Sequence, residues 1–513
     1  QKLLADFLEE ATARGLVCCT TDNGAGGLSS SIGELASICG GARVWMEKVP
    51  LKYSGLRPWE IFVSESQERM TLVVSRQDLE AVTALAKARE VEVSWIGEFT
   101  NNGRLEVCYQ GQVVADLELE YLHTGVPRKH LEAVWQPPVH HEPKGLEVAD
   151  HGDELLRLMG SQNICSRERV VRQYDHEVKG KTVVKPLMGA RGKAPQDAAV
   201  MRLGFDSYLG VAISNGIAPK YGDIDAYQAS ACAFDEALRS LISVGVRLPD
   251  PSDKSDRFWC ACDNFCVPDS VFDPVGNPDG KYKLAQLVRM CEALYDMSCW
   301  FNIPMTSGKD SMKNDFRADS IKISVPPTVL YSMVASMEDV RNAITSEFKQ
   351  AGDRIYLVGK THDELGASEF YRLRGLTGSN VPAVRKREAL AVYQAMNRAQ
   401  AARLIQSSHD LSDGGLAVSL AECCFGGSLG ARIRLPSDSI STLAWLYGES
   451  CSRLLVSVRD VDCGAFERIV GDRGTALGEV VDSASLTISR SGDSLVDLPV
   501  QSLLRAWDAG LND

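Results

Sequence analysis

Apolar and polar positions alternate in the same way in two distant parts of the chain. Each part has an apolar run that predicts a buried strand, then an aspartate, a glycine pair, and a helix with apolar residues every three or four positions. The first part contains residues 15–19, Asp22, and the helical positions Leu28, Ile32 and Leu35. The second contains the shorter run 404–405, Asp410, and the helical positions Leu416, Leu420 and Cys423. The pattern predicts one strand–loop–helix unit that occurs twice.

Further short matches follow in the same order and indicate a duplicated domain. The segment 65–69 (Glu-Ser-Gln-Glu-Arg) corresponds to 449–453 (Glu-Ser-Cys-Ser-Arg), and each precedes a strand-like apolar run. The segment 96–98 corresponds to 477–479. We therefore expect a first copy at 1–125, a linker at 126–180, a different domain at 181–354, and a second copy at 355–513. Because no counterpart of the intervening domain precedes Gln1, we expect a fragment or one piece of a split enzyme.

Carboxylates beside glycine-rich helix starts suggest a site for Mg²⁺ and phosphate. Glycine lets the backbone approach a ligand closely, and a helix N-terminus offers N–H groups to an anion. The alternative is that Asp22 and Asp410 only cap their helices. Asp197, Glu236 and Asp263 could supply further oxygen ligands for Mg²⁺. Taken alone, each of these acids is more often a solvated surface group.

The repeated Glu-Ser-x-x-Arg motif offers a carboxylate, a hydroxyl and a guanidinium, which together could bind a ligand with hydroxyl and phosphate groups. An internal Glu–Arg ion pair is the alternative. Gln67 of the first copy corresponds to Cys451, which indicates that only the first copy still binds a polar ligand.

A glycine–lysine segment at 306–312 resembles a phosphate-binding loop only superficially. It lacks the first glycine of a Walker A loop, and Asp310 separates the lysine from Ser311. The segment could place a cation near a phosphate, or it could be a polar loop with an exposed lysine.

Charge and composition narrow the classes of function. The 513 residues include 55 Lys+Arg and 68 Asp+Glu, a net charge of −13, which disfavours binding to nucleic acid. No apolar run is long enough to span a membrane, so we expect a cytoplasmic protein with no membrane partner. The 15 cysteines are scattered and odd in number, which is typical of buried, reduced thiols in a cytosolic protein.

Together these motifs resemble the synthetase subunit of the phosphoribosylformylglycinamidine synthase family, over essentially the whole chain. The resemblance rests on five segments in order: 64–69, 172–178, 185–198, 307–312 and 409–416. It implies an α+β fold with the duplicated A1–B1–A2–B2 architecture of the aminoimidazole ribonucleotide synthase-like superfamily. This chain then corresponds to B1–A2–B2, two α/β sandwich B domains flanking one A domain. The family's catalytic histidine lies in A1, so no catalytic residue is assigned.

The resemblance implies an ATP-dependent conversion of formylglycinamide ribonucleotide to formylglycinamidine ribonucleotide in de novo purine biosynthesis. The nitrogen is ammonia released from glutamine by a glutaminase subunit or domain. Mg²⁺ and ATP are the implied cofactors, with a tightly bound structural ADP as a further possibility. The implied partners also include the A1 domain and a small accessory subunit.

Residue by residue, the resemblance implies three groups of site residues. The substrate group is Glu65, Ser66, Gln67 and Ser311. The nucleotide group is Gln196, Asp263, Gly308, Lys309 and Ser412. The metal group is Asp22, Asp197, Glu236, Ser240 and Asp410. Ser240 stands where the family usually has asparagine, and a hydroxyl is a weaker ligand for Mg²⁺.

Two other functions stay open from the sequence. One is another ATP-using relative of the same fold, of the aminoimidazole ribonucleotide synthase or selenophosphate synthase type, although those are single A–B units. The other is a non-catalytic scaffold that holds a nucleotide.

Overall fold

A computed structural model describes residues 1–125, 127–173, 177, 179–319 and 321–511. They form two compact units, Gln1–His130 and Leu131–Asp513. The first unit contains α1 (Lys2–Ala13), β1 (Cys19–Asp22), α2 (Leu28–Cys39), β2 (Ala42–Trp45), α3 (Pro58–Phe62), β3 (Met70–Val73), α4 (Leu79–Ala88), β4 (Gly97–Phe99), β5 (Arg104–Tyr109), β6 (Gln112–Glu118) and α5 (Leu119–Thr124).

The second unit begins with a segment that forms a six-stranded sheet and two long helices. Its elements are α6 (His151–Met159), α7 (Glu168–Val171), β7 (Thr182–Val184), β8 (Leu187–Met188), β9 (Ala194–Pro195), β10 (Ala199–Arg202), β11 (Gly210–Ile217), α8 (Ala226–Ser243), β12 (Trp259–Cys266), α9 (Gly280–Phe301), β13 (Met305–Ser311), β14 (Asp315–Ala318), β15 (Ile321–Ser324) and β16 (Thr328–Met337). The sheet order is β13-β12-β16-β11-β10-β7.

The remainder of the second unit forms a seven-stranded sheet covered by helices. Its elements are β17 (Arg354–Val358), α10 (Glu369–Arg372), α11 (Lys386–Ala401), β18 (Ile405–Asp410), α12 (Gly415–Cys424), β19 (Gly430–Leu435), α13 (Thr442–Tyr447), β20 (Leu454–Val458), α14 (Cys463–Val470), β21 (Gly474–Val481), β22 (Ser485–Arg490), β23 (Asp493–Pro499) and α15 (Val500–Ala509).

The order of strands shows the duplication directly. The seven-stranded sheet has the order β18-β20-β17-β21-β19-β22-β23, and the first unit has β1-β3 and β4-β2-β5-β6. Corresponding pairs agree in direction: β2 and β5 are parallel, as are β19 and β22, whereas β1–β3 and β18–β20 are antiparallel. β17 joins the two parts of the sheet in the second copy. No strand among the described residues of the first unit corresponds to β17, so the first copy keeps the order in two separate sheets.

Helix α8 connects the two large sheets of the second unit. It packs on β11 and β16 of the six-stranded sheet and on β18 of the seven-stranded sheet. Its residues are buried on all sides, as expected of a helix rich in alanine and large apolar residues throughout its length. The Asp225 side chain caps its N-terminus by accepting from the Tyr227 and Gln228 N–H groups. Charged groups on α8 are therefore buried and need partners within the chain.

Most predicted elements are confirmed, and two are wrong. The runs at 70–74 and 454–458 form β3 and β20, and the helices after the glycine pairs are α2 and α12. The buried strand expected at 15–19 instead occupies 19–22, and its residues are alternately exposed and half-buried because β1 pairs only with β3. The segment 306–312 lies mostly in β13, the edge strand parallel to β12, and is not a loop.

The architecture is α+β, as predicted. No helix among the described residues is long and apolar enough to cross a membrane. The proposed boundaries at 126, 181 and 355 stay predictions. All 15 cysteines are free thiols, but only five are buried, so the expectation of generally buried thiols is wrong.

Arg453 is expected to be essential for the stability of the second copy. Its fully buried guanidinium donates to the carbonyl oxygens of Gly448 and Ser450 and to Thr361 Oγ1. Arg453→Lys removes the planar fork and leaves buried acceptors unpaired, which should lower the free energy of unfolding by about 3 kcal/mol. Urea denaturation measures this change. The exposed Arg434→Lys is the control and should change it by less than about 0.5 kcal/mol. Equal effects of the two substitutions would contradict this role.

Candidate functional site

Three buried ionisable side chains meet at the C-terminal end of β18. Ligand atoms of Asp197, His409 and Asp410 all lie within 4.8 Å of one another. His409 Nδ1 is 2.6 Å from Asp197 Oδ1, and its Nε2 is 3.0 Å from Glu422 Oε2 on α12. The Asp410 N–H donates to Asp197 Oδ2 over 2.9 Å. These bonds place two carboxylates side by side.

A buried guanidinium from α8 contacts the same group. Arg239 donates to Asp410 Oδ2 over 3.1 Å, to Asp235 Oδ2 over 2.8 Å and to Ser412 Oγ over 2.8 Å. Ser412 Oγ in turn donates to Asp410 Oδ2 over 2.6 Å. Tyr393 donates its hydroxyl to Asp235. The position of Asp410 is therefore held by both the six-stranded and the seven-stranded part of the second unit.

Negative charge exceeds positive charge in this cluster. Two cations, Arg239 and His409, are surrounded by five carboxylates: Asp197, Asp235, Glu236, Asp410 and Glu422. Burial alone would lower the pKa of His409, but Asp197 and Glu422 hold it well above its ordinary value, so the ring is cationic. Burial and the neighbouring Asp197 raise the pKa of Asp410 to about 6, against the opposing effects of Arg239 and His409.

The Glu236 carboxyl shows the same lack of positive charge. Burial, with a smaller contribution from Asp410, raises its pKa to about 7 against the opposing effect of Arg239. A divalent cation would relieve the repulsion, and carboxylate oxygens are the ligands that Mg²⁺ prefers. The residues present therefore fit a Mg²⁺ site.

Two alternatives that the sequence left open for the acidic residues, helix capping and exposure to solvent, are wrong where the structure tests them. Asp410 does not cap α12, and Asp22 does not cap α2, because neither helix has a side-chain cap. Asp197 and Asp410 are buried, so they are not solvated surface acids. Asp197 lies between β9 and β10 and meets Asp410 through bonds to His409 and to the Asp410 N–H, a contact that spacing along the sequence does not reveal.

The remaining predicted metal residue, Ser240, lies one turn after Glu236 on α8 and is buried. The predicted nucleotide residue Gln196 adjoins Asp197, but its amide is used internally. Its oxygen accepts from the Ser346 N–H and its nitrogen donates to Ser346 Oγ. Ser412 contacts Asp410 and Arg239, as described above. Ser412 therefore helps to position Asp410, whereas the Gln196 amide bonds to groups outside the cluster.

A second group of predicted residues lies on the edge of the six-stranded sheet. Asp263 on β12 is opposite Gly308 on β13, and a Cβ at Gly308 would lie 2.0 Å from Asp263 Oδ1. That oxygen is buried and has no hydrogen-bond partner among the described residues. Burial raises the pKa of Asp263, and Asp310 raises it further. Lys309 is exposed next to this carboxylate, and Ser311 Oγ donates to Asn314.

The predicted residues of the first unit are exposed. Asp22 lies at the end of β1 and accepts from the Gly24 N–H over 2.7 Å. Glu65, Ser66 and Gln67 follow α3 and all face solvent. Asp22 belongs to no cluster of three or more metal-ligating groups in the part of the chain that the structure describes. Its role as a ligand stays a prediction.

The two copies of the Glu-Ser-x-x-Arg motif make the same internal bonds. Glu65 accepts from the Gly26 N–H over 3.1 Å, and Glu449 accepts from the Gly414 N–H over 2.9 Å. Arg69 donates to backbone carbonyl groups of its own loop, as Arg453 does. A Glu–Arg ion pair is therefore the wrong alternative. In each copy the guanidinium bonds to its own loop, and one glycine N–H that was expected to be open to an anion is occupied by the glutamate.

One predicted segment cannot be placed completely. In 172–178, residues Tyr174, Asp175, His176 and Val178 lie outside the described residues.

Sequence reasoning missed three cations that form ion pairs with acidic groups of the second unit. Arg239 and His409 belong to the carboxylate cluster, and Lys220 is 2.9 Å from Glu449 and also pairs with Asp413. One signal could have revealed Arg239: a basic residue on an otherwise apolar helix, four positions after Asp235. Lys220 has no such local signal.

Comparison with known proteins agrees with the duplicated topology. The family model described as AIR synthase related protein, C-terminal domain, matches residues 1–110 and 350–490 of the chain. Phosphoribosylformylglycinamidine synthase subunit PurL of Anaeromyxobacter dehalogenans (strain 2CP-C) is 33% identical over 540 residues, covering 100% of this chain and 66% of the relative. PurL of Thermoplasma volcanium is 31% identical and covers 98% of this chain and 63% of the relative. The chain belongs to the PurL family.

Solved structures of the PurL family share this fold. Thermotoga maritima PurL complexed with ATP has a TM-score of 0.62 at 21% identity, covering 93% of this chain and 66% of that chain. The complex of the same protein with FGAR has a TM-score of 0.61 at 22% identity, covering 94% of this chain and 64% of that chain. The present chain thus spans slightly less than two-thirds of the PurL relatives that it matches.

Glu236 should give the protein a distinctive pH dependence in metal-free buffer. Its pKa is about 7 in the folded state and about 4.5 in the unfolded chain, so the folded state binds more protons between these values. The free energy of unfolding should therefore fall as pH rises from about 4.5 to 7. Because the carboxyl is partly exposed, we expect Glu236→Gln to be about 2 kcal/mol more stable than the native chain at pH 8 and equal to it near pH 4. Thermal denaturation with EDTA across this range measures the difference. The exposed Glu338→Gln should leave the dependence of stability on pH unchanged. If the curve of Glu236→Gln ran parallel to that of the native chain, Glu236 would not titrate between about pH 4.5 and 7.

Proposed function

We propose that the chain contributes the Mg²⁺–nucleotide site and a substrate-binding segment of a phosphoribosylformylglycinamidine synthase. The reaction converts formylglycinamide ribonucleotide to formylglycinamidine ribonucleotide, using ATP and ammonia from glutamine. The observation that carries the proposal is the excess of buried carboxylates around Asp197 and Asp410 in a chain of the PurL family. The relatives' names and the ATP, ADP and FGAR complexes of Thermotoga maritima PurL support it.

The buried carboxylates would hold the metal ion, and the cations would keep them in place. Asp197, Glu236 and Asp410 supply oxygen ligands, and Ser240 stands close to Glu236 on the same helix. Arg239 and Ser412 fix one oxygen of Asp410, and His409 fixes one oxygen of Asp197. Bound Mg²⁺ would neutralise charge on the phosphates of a nucleotide held there.

The first copy is the better candidate for binding the ribonucleotide substrate. Its Glu65, Ser66 and Gln67 are exposed, and the Gln67 amide can both donate and accept hydrogen bonds. The corresponding Cys451 is a thiol in contact with Cys232, with the two sulfur atoms 3.2 Å apart. The nucleotide held near Asp410 would then be the auxiliary, structural one, and Asp22 would serve the site of the first copy.

Asp263, Gly308 and Lys309 form a further proposed contact for nucleotide, with Ser311 for substrate. The unpartnered Asp263 oxygen and the exposed lysine next to it support this role. A glutaminase is the proposed source of ammonia, together with an A1-type domain and a small accessory subunit. The PurLQS structure of Thermotoga maritima supports an assembly of this kind. The free thiols support a cytoplasmic location.

A non-catalytic scaffold that holds a nucleotide is the second candidate, because the buried carboxylates alone would serve it equally well. Assays of amidine formation separate the two functions. A polypeptide of residues 1–513 with ATP, Mg²⁺, formylglycinamide ribonucleotide and ammonia should bind nucleotide without forming product, because it matches only 63–66% of the length of the PurL relatives. Adding the remaining third of a PurL relative as a separate polypeptide should restore product if the chain is part of the enzyme. Steady turnover by residues 1–513 alone would contradict the expectation, and no product in either assay would favour the scaffold.

Asp410 should control the affinity for Mg-ADP. Asp410→Asn removes a charged metal ligand but keeps its size and its bond to Ser412, so we expect the dissociation constant for Mg-ADP to rise at least tenfold. Isothermal titration calorimetry with and without EDTA measures this change. The exposed Asp493→Asn removes the same charge from the same unit and should bind like the native chain. Unchanged affinity in Asp410→Asn would exclude Asp410 as a metal ligand.

A further inference from the structure

A separate cleft in the second unit is lined by basic side chains. Its volume is about 210 Å³, and it lies between the loop after β17, the start of α11 and the loop before β20. Its charged lining residues are Lys360, Arg385, Arg387, Arg473, Glu388 and Asp472. Asp197, Glu236 and Asp410 do not line it, so the cleft is separate from the carboxylate cluster.

Two of these cations have no partner within the described part of the chain. Arg385 pairs with Glu364 at 2.7 Å, and Arg473 lies 3.5 Å from Asp472. Lys360 and Arg387 form neither an ion pair nor a hydrogen bond with any described residue, and both are exposed. In a chain with a net charge of −13, two free cations in one cleft form a local site for an anion.

Arg387 lies in the first turn of α11, where its charge is repelled by the positive end of the helix dipole unless an anion is bound. Helix α11 begins at Lys386 and has no side-chain cap at Arg385. Residues 385–387 thus place three cations at the positive end of a 16-residue helix, where anions are stabilising. A bound anion would interact with the helix terminus and with the side chains together. His362 also lines the cleft; burial and then Arg385 lower its pKa, so it is a neutral hydrogen-bonding group.

The duplication relates this cleft to the proposed substrate segment of the first copy. Cys451 lines the cleft, and it occupies the position that Gln67 has in the first copy. Cys451 lacks the polar amide group that Gln67 has in the first copy. The basic side chains around Cys451 instead favour a negatively charged ligand. We infer that this cleft is a binding site for a small phosphate monoester, which Lys360 and Arg387 bind through its phosphate group. The site is distinct from the proposed Mg²⁺–nucleotide site and does not depend on it.

Ribose 5-phosphate is the probe for this site, measured by isothermal titration calorimetry on the complete 513-residue chain. The double variant Lys360→Gln/Arg387→Gln should raise its dissociation constant at least tenfold, because charge-assisted hydrogen bonds are lost. Arg434→Gln removes an exposed, unpaired cation elsewhere in the same unit and should bind like the native chain. Ribose without phosphate should not bind, and inorganic phosphate should compete with ribose 5-phosphate.

Stability without ligand gives an independent readout. Because Arg387 opposes the helix dipole, Arg387→Gln should raise the melting temperature of the ligand-free chain while it weakens binding. Asp410→Asn should leave ribose 5-phosphate binding unchanged, which separates this inference from the proposed function. Native affinity in the double variant, an equal loss in Arg434→Gln, or equal binding of ribose would each overturn the site.

Discussion

The buried guanidinium of Arg239 is the interaction on which the second unit depends. A charge that is almost completely removed from water is tolerated only when several well-placed partners compensate it. Arg239 finds them in Asp235 on its own helix, in Asp410 at the end of β18, and in Ser412 just beyond. Helix α8 and the seven-stranded sheet must therefore meet in one geometry, and the carboxylate cluster is a consequence of that meeting.

The duplicated loops show which interactions the fold itself requires. Both copies retain a glutamate that accepts from a glycine N–H before the helix, and an arginine that donates to the carbonyl groups of its loop. These bonds stabilise the loop and tie the guanidinium of each copy to the backbone of its own loop. The copies differ at one position of the motif, which is Gln67 in the first copy and Cys451 in the second. These bonds do not involve that side chain. The two copies therefore share the bonds that hold the loop and differ at a side chain that takes no part in those bonds.

Opposite imbalances of charge distinguish the two candidate sites of the second unit. Around Asp410, carboxylates exceed cations and burial raises their pKa values, which favours binding of a cation. Around Arg387, neither Lys360 nor Arg387 has an ion-pair partner among the described residues, which favours binding of an anion. The charges therefore favour different ligands at the two proposed sites, although both belong to one compact unit.

The comparison of sequence and structure shows where local patterns are sufficient. Apolar periodicity predicted β3, β20, α2 and α12, and the spacing of short motifs predicted the duplication, because one repeated pattern builds the same pairs of strands. Periodicity failed at residues 15–19 and 306–312. A two-stranded sheet buries little of β1, and the polar β13 is a strand only because β12 offers it a partner.

The sequence by itself determined the family, the repeated topology and the identity of the acidic residues. Only the tertiary structure decided which of them lie close together. Asp197 and Asp410 are far apart along the chain, and they meet because Asp197 bonds to His409 and to the Asp410 N–H. The packing of α8 against β18 brings Arg239 to Asp410, whereas Asp263 lies apart on β12. Charge interactions at a site depend on distance and burial, and both are set by long-range packing that local sequence patterns do not contain.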